Sequence, residues 1–186
     1  MASTEIKIGG LGGQGVILAG MILGKAAALF DHKNATMTQA FGPEARGSAC
    51  SAQLIVADEP VLYPYVTRPT VLVTMSQDAY AKFGPELAED GLLLFEEELV
   101  RVGPTSPKGA RLYGIPATRL AEELGRKLVL NIVMVGFFTS VARVISPDAV
   151  RKAVCDSVPP GTEKLNLAAF DKGYEHGVKV LAQSVS

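Results

Sequence analysis

A short apolar run, Glu5 to Gly9, passes directly into Gly10-Leu11-Gly12-Gly13-Gln14-Gly15 and then into an apolar stretch that continues to Phe30. A strand that ends in a glycine-rich turn and feeds a helix constrains the fold more than any other feature of the chain. It is the opening unit of a layered α/β sheet. The turn fits G-x-G-x-x-G in the context of a dinucleotide-binding turn. Its glycines let the backbone approach an anion, and the first amides of the helix point at it. Two uses stay open at this point: a phosphate site, or a turn kept only for packing.

The rest of the chain continues the alternation. Strands are expected over Ala35–Phe41, Ser48–Ala57, Thr70–Met75 and Gly91–Phe95, with a short last one over Arg111–Ile115. Helices are expected over Gly15–Phe30, then Gln77 to about Ala88 with Ser76 as cap, and Thr118–Arg126. Leu128–Ile145 reads as a long apolar helix. Pro147 opens a further helix to about Val158, and Lys164–Val185 reads as a terminal one. The fold class is therefore α/β: a three-layer, Rossmann-like, mostly parallel sheet with a helical C-terminal third. Gly20 and Gly24 lie on one helix face, where close packing against the sheet explains them. Glu96-Glu97-Glu98 reads as a solvated run.

Composition narrows the function. The 186 residues are 48% apolar, enough for one domain with a substantial core, so residues 1–186 are taken as a single domain. A net charge of −1 supplies no basic field for nucleic acid or an anionic membrane. The apolar stretches Val16–Phe30 and Leu128–Ala142 are too short to span a bilayer, and Lys25 and Asn131 interrupt them. They read as buried or interface helices, and self-association of the isolated chain is expected from them. The two cysteines, Cys50 and Cys155, form no C-x-x-C, so they frame neither an iron–sulfur cluster nor a zinc site. They read as structural, reduced thiols of a cytoplasmic protein, in keeping with an N-terminus that has no signal-peptide pattern. His32 and His176 read as surface residues. Asn131, inside an apolar helix, needs a hydrogen-bond partner. A subunit interface is the preferred source, with an intrachain partner the alternative.

A nicotinamide dinucleotide needs a carboxylate at the carboxyl end of the second strand. That end reads Met37-Thr38-Gln39-Ala40-Phe41, and Asp31 precedes the strand. Gly12-Gly13-Gln14-Gly15-Val16 together with Thr38-Gln39-Ala40-Phe41-Gly42-Pro43-Glu44-Ala45-Arg46-Gly47 points elsewhere. With Ile115-Pro116-Ala117-Thr118, Asn131-Ile132-Val133-Met134-Val135-Gly136 and Pro160-Gly161-Thr162-Glu163-Lys164-Leu165-Asn166, the ordered set covers nearly the whole chain. It resembles the gamma subunit of 2-oxoacid:ferredoxin (acceptor) oxidoreductases. The stretch from Phe41 to Gly47 looks most like the 2-oxoglutarate branch, although a tyrosine often stands at the position of Phe41 and a glycine at that of Ser48.

The resemblance implies a subunit of a cytoplasmic complex that converts a 2-oxoacid and coenzyme A to acyl-CoA and carbon dioxide. Electrons pass to ferredoxin or a similar acceptor through the partners. Those partners are alpha and beta subunits, with or without a ferredoxin-like delta subunit. Thiamine diphosphate, magnesium and the iron–sulfur clusters are expected on them, so this chain is expected to hold no catalytic residue and no metal. Its own expected part is to help enclose the active site and to contact coenzyme A. The candidate contacts are Gly12, Gly13, Gln14, Gly15, Thr38, Gln39, Glu44 and Arg46. Gln14 would bond the ligand or cap the turn; Arg46 would pair with a phosphate or carboxylate, or form a salt bridge to Glu44 or to a partner. An NAD(P)-binding protein and an assembly scaffold without a ligand site are the alternatives.

Overall fold

The computed structural model describes residues 3–42, 48–104 and 106–184. The elements are β1 (Thr4–Leu11), α1 (Val16–Lys25), β2 (Asn34–Ala40), β3 (Ala49–Ala57), β4 (Val71–Thr74), α2 (Gln77–Phe83), β5 (Leu92–Glu96) and β6 (Arg111–Ile115), then α3 (Ala117–Glu123), α4 (Leu130–Ala142), α5 (Pro147–Ser157) and α6 (Glu163–Ser184). The expected elements are all present, with boundaries moved by a few residues. A π-helical turn, Ala26–Phe30, ends the first helix and places Asp31 beside α5. There the Asp31 carboxylate accepts the Ser146 amide at 2.9 Å and its hydroxyl at 2.7 Å.

The sheet runs β2-β3-β1-β4-β5-β6. β1, β4, β5 and β6 are parallel neighbours, whereas β3 is antiparallel to both β1 and β2. The sheet is thus mostly parallel, with one reversed strand wedged beside β1. One row crosses it in register: Ala40, Ser51, Gly9, Thr74, Phe95 and Gly114.

Alternation sorts the side chains onto two faces. Ile6 and Ile8 join the larger core with α1 and α4, and Leu72, Leu93 and the α2 residues Ala79, Tyr80 and Phe83 form the smaller one. Lys7 lies on the α2 face, nearly buried, paired with Glu86 and set 5.0 Å from the Phe83 ring centroid. Ser76 caps α2 by accepting the Ala79 amide at 3.1 Å. The expected close approach of α1 to the sheet is present. A Cβ on Gly20 would stand 2.6 Å from the Ala52 Cβ.

One alternative is settled here and two expectations fail. The apolar helix α4, read as buried or interface, is buried: eleven of its thirteen residues, Asn131 to Val141, are enclosed within the chain. α6 lies over it, with backbones brought together at two facing glycines. A Cβ on Gly136 would fall 2.0 Å from the Phe170 carbonyl oxygen, and one on Gly173 would fall 1.8 Å from that of Val133. Glu96, read as solvated, is fully buried. Its Oε2 accepts the Leu99 amide at 2.7 Å and its Oε1 the Thr118 amide at 3.3 Å, so it ties β5 to the start of α3. Alternation along β5 turns Glu96 inward with Leu92 and Leu94, while Glu97 and Glu98 stay exposed. His176 is also corrected: its Nε2 lies 3.2 Å from the Gly114 carbonyl oxygen, and its ring meets Phe137 edge-on.

Gly173→Ala is expected to pry α4 from α6 and to cost about 1–3 kcal/mol or more, as overpacking does. Urea unfolding checks it; an unchanged midpoint would refute the close crossing. The Glu96 carboxyl is held above the usual carboxylate range, chiefly because burial disfavours the charge, with the amide bonds opposing. A folded-state pKa raised above the unfolded one gives stability that is full below the unfolded value and lost as pH rises through the folded one. Wild-type stability is therefore expected to carry a downward component across that acidic window. Unfolding curves at a series of pH values should show this component missing from Glu96→Gln; parallel profiles would contradict it.

Candidate functional site

The turn between β1 and α1 stands at the carboxyl edge of the sheet. α1 leaves β1 on one face and α2 leaves β4 on the other. The β1/β4 boundary is therefore a topological switch point, the place where open α/β sheets hold ligands. Gln14 spans it. Its Oε1 accepts the Leu11 amide at 2.7 Å and its Nε2 donates to the Met75 carbonyl at 2.8 Å. The side chain braces the turn against the end of β4 with both ends of its amide engaged.

Gly13 and Gly15 sit at φ of 94° and 74°, conformations that a Cβ disfavours. Around Gly13 nothing lies within 4 Å of where a Cβ would be, so the turn is open to approach there. At Gly15 a Cβ would fall 2.3 Å from Asn131 Nδ2. That Nδ2 donates to the Gly15 carbonyl at 3.2 Å, so the partner of Asn131 is intrachain and not across an interface. Asn131 is held by the buried N-terminal turn of α4, which makes the core helix a support for the glycine turn. Ala19 also donates to the Gly15 carbonyl, at 3.0 Å, closing the first turn of α1. Among the described residues the amides of Gly12, Gly13, Gly15, Val16, Ile17 and Leu18 have no protein acceptor. Six N–H groups at a helix start, with no side-chain cap, suit an anion.

The remaining candidates fall around this centre unevenly. Thr38 and Gln39 are at the carboxyl end of β2, level with Lys7 and Ile8 of β1 across β3. At about 4.8 Å per strand they stand about 10 Å from β1. Met37 packs on the α1 side of the sheet, so Gln39, two residues on, shares the face of the glycine turn. Gln39 is exposed. Thr38 takes the opposite face, where its hydroxyl is buried without a partner among the described residues. Glu44 and Arg46 lie outside the described residues. The reversed β3 explains the spread, because it moves β2 one strand further from β1 than consecutive parallel strands would stand.

Two supporting residues were not legible beforehand: Asn131 as the brace of Gly15, and Glu96 as a buried anchor at the same sheet edge. Burial pushes the Cys50 thiol up, away from the reactive thiolate, in keeping with a structural role. Among the described residues no three His, Cys, Asp or Glu side chains gather as a metal site, and no helix is long and apolar enough to cross a membrane.

Comparison with known proteins gives a consistent result. The family model described as pyruvate ferredoxin/flavodoxin oxidoreductase matches residues 5–176. The chain is 48% identical over 172 residues to the 2-oxoglutarate synthase subunit KorC of Methanocaldococcus jannaschii, covering 92% of each protein. The gamma subunit of a keto/oxoacid ferredoxin oxidoreductase from Geobacter sulfurreducens PCA superposes with a TM-score of 0.84 at 35% identity, over 95% of this chain and 99% of that one. The 2-oxoglutarate:ferredoxin oxidoreductase of Magnetococcus marinus, solved with 2-oxoglutarate, coenzyme A and succinyl-CoA bound, also gives 0.84, at 21% identity. The match covers 96% of this chain but 32% of the Magnetococcus chain.

The two left-handed glycines separate backbone strain from contact. Gly13→Ala is expected to cost about 1–2 kcal/mol, the price of a left-handed residue with a Cβ. Gly15→Ala should cost about 1–3 kcal/mol more, because its Cβ meets Asn131. In an Asn131→Ala background this excess should vanish, which a double-mutant cycle by urea unfolding measures. Equal costs for both glycines would refute the Asn131 support.

Proposed function

The chain belongs to the pyruvate ferredoxin/flavodoxin oxidoreductase family, and we propose that it is the gamma subunit of a 2-oxoglutarate oxidoreductase in which its glycine turn contacts coenzyme A. The substrate rests on the 2-oxoglutarate synthase relatives, of which the first is 48% identical over 92% of both chains. The reaction releases carbon dioxide from the oxoacid, joins the acyl carbon to the coenzyme A sulfur and hands two electrons to ferredoxin. Thiamine diphosphate, magnesium and iron–sulfur clusters supply that chemistry on alpha and beta subunits, with or without a ferredoxin-like delta subunit. The compartment is the cytoplasm.

The observation that carries the ligand reading is the set of six unpaired amides around Gly12, Gly13 and Gly15, at the switch point of the sheet. Coenzyme A offers a pyrophosphate and a 3′-phosphate to such a cradle. Gln14 acts from behind: it fixes the turn to Met75 and leaves the backbone donors to the anion. Gln39 shares their face, and Glu44 and Arg46 follow β2 in sequence, where Arg46 adds a forked positive charge. Thr38, on the other face, serves the site only through β2. Enclosure of the active site follows from the same edge facing the catalytic partners.

A dinucleotide reading has less support. Among the described residues no carboxylate stands at the end of β2, and Asp31 is engaged with Ser146. A scaffold without a ligand would leave the six amides to water.

Gly13→Asp places a side chain and a negative charge where the anion approaches. Arg46→Ala removes one charge-assisted contact, typically about 1.5–3 kcal/mol, which corresponds to roughly ten- to a hundredfold weaker coenzyme A binding. Steady-state kinetics of the reconstituted complex should show KM for coenzyme A rising in both variants. The oxoacid-dependent reduction that precedes coenzyme A should change little. Intact assembly with unchanged coenzyme A dependence in Gly13→Asp would leave the turn a packing element. Acyl-CoA formation by this chain alone would refute the subunit reading.

A further inference from the structure

β6 is an edge strand. Arg111 donates its amide to the Gly91 carbonyl and Ile115 accepts from the Glu97 amide, so the odd-numbered residues of β6 turn their backbone toward β5. By the alternation of a parallel ladder, Leu112 and Gly114 turn theirs outward. His176 covers the Gly114 carbonyl. The amide and carbonyl of Leu112 and the amide of Gly114 have no partner among the described residues. Exposed edges of this kind recruit another strand unless they are blocked.

Along this edge, on the α4 and α6 side, runs a groove of about 780 Å³. Tyr113, Val141, Val178 and Leu181 line it with apolar surface, and Val178 is half exposed. Arg111 and Arg143 stand at one end. They meet there because Arg111 begins β6 while Arg143 ends α4, whose other end lies at the glycine turn. Neither guanidinium has an ion-pair or hydrogen-bond partner among the described residues. Unpaired strand donors and the Leu112 carbonyl therefore border a groove with an apolar wall and a positive end.

We propose that this edge docks an extended, acidic segment of another polypeptide of the same oxidoreductase, which adds a strand beside β6 and sets a carboxylate between Arg111 and Arg143. Backbone bonds to Leu112 and Gly114 supply the pairing, and the two arginines fix the register. The assignment rests on the functional reading above. That this fold makes up about a third of the Magnetococcus chain fits it, because there the fold belongs to a longer polypeptide of the same enzyme.

The test is amide hydrogen exchange of the chain, free and in the complex reconstituted with its partner subunits. The Leu112 and Gly114 amides should exchange at least about tenfold more slowly in the complex, as paired strand amides do. Arg111→Glu with Arg143→Glu should weaken assembly by roughly tenfold or more and increasingly so at low salt, as lost charge-assisted contacts do. Leu112→Pro deletes only an outward-facing donor, which an edge strand tolerates, so its urea midpoint should stay near wild type while assembly fails. Assembly with Leu112 and Gly114 still exchanging freely overturns the proposal and leaves the functional reading intact. A chain that joins no oxidoreductase complex overturns that reading and the docking site with it. Protection that appears in the free chain at high concentration, together with a dimer in sedimentation, assigns the edge to a second copy and overturns the partner segment.

Discussion

The enclosure of α4 is the constraint on which the rest depends. A helix that is apolar on every side must be surrounded. The sheet and α1 cover one side, and α6 covers another by pressing its backbone against that of α4 at Gly136 and Gly173. Larger residues at either glycine would separate the helices and uncover the apolar surface between them. The same buried helix presents Asn131 at its first turn, and Asn131 holds the Gly15 carbonyl. The geometry of the glycine turn is thus fixed from the core and not by the turn residues alone.

Much of this was legible in residue patterns, and the failures have physical causes. Val71 to Thr74 is a buried parallel strand, and its apolar run with β-branched residues says so. Ser76 and Ser146 announce helix starts because a hydroxyl beside unsatisfied amides has few other uses. Glu96 was misread because three consecutive glutamates resemble a solvated run, and which one points inward depends on strand register. Asn131 and Gly15 are 116 residues apart, so no local pattern announces their contact. The reversal of β3 was equally silent: alternation of strands and helices fixes the layers, but the direction of a strand joined by a loop is decided by pairing.

The candidate site centres on a turn, and its members divide into kinds that sequence does not distinguish. Gln14 has the chemistry of a ligand contact, yet both ends of its amide are engaged by the backbone. Gly12, Gly13 and Gly15 carry no chemistry in their side chains, yet their amides are the unpaired donors. Thr38 and Gln39 are neighbours in sequence and lie on opposite faces of the sheet, a direct result of strand alternation. What an anion would meet at this edge is therefore mostly main chain, set in place by side chains that point away from it.

The wedge of β3 beside β1 also governs the order in which the chain can complete itself during synthesis. β1 emerges first but is a central strand, and both of its neighbours come later: β3 begins at Ala49 and β4 at Val71. At the usual 5–20 residues per second, the interval from Leu11 to Ala49 leaves both edges of β1 unpaired for about 2–8 s. Lys7, in the middle of the strand, keeps a charge on β1 over that interval, and a charge on an unpaired strand disfavours edge-to-edge association. Its counter-charge, Glu86, is 79 residues further on. The lysine is neutralised and buried only after the strands that protect β1 have been made.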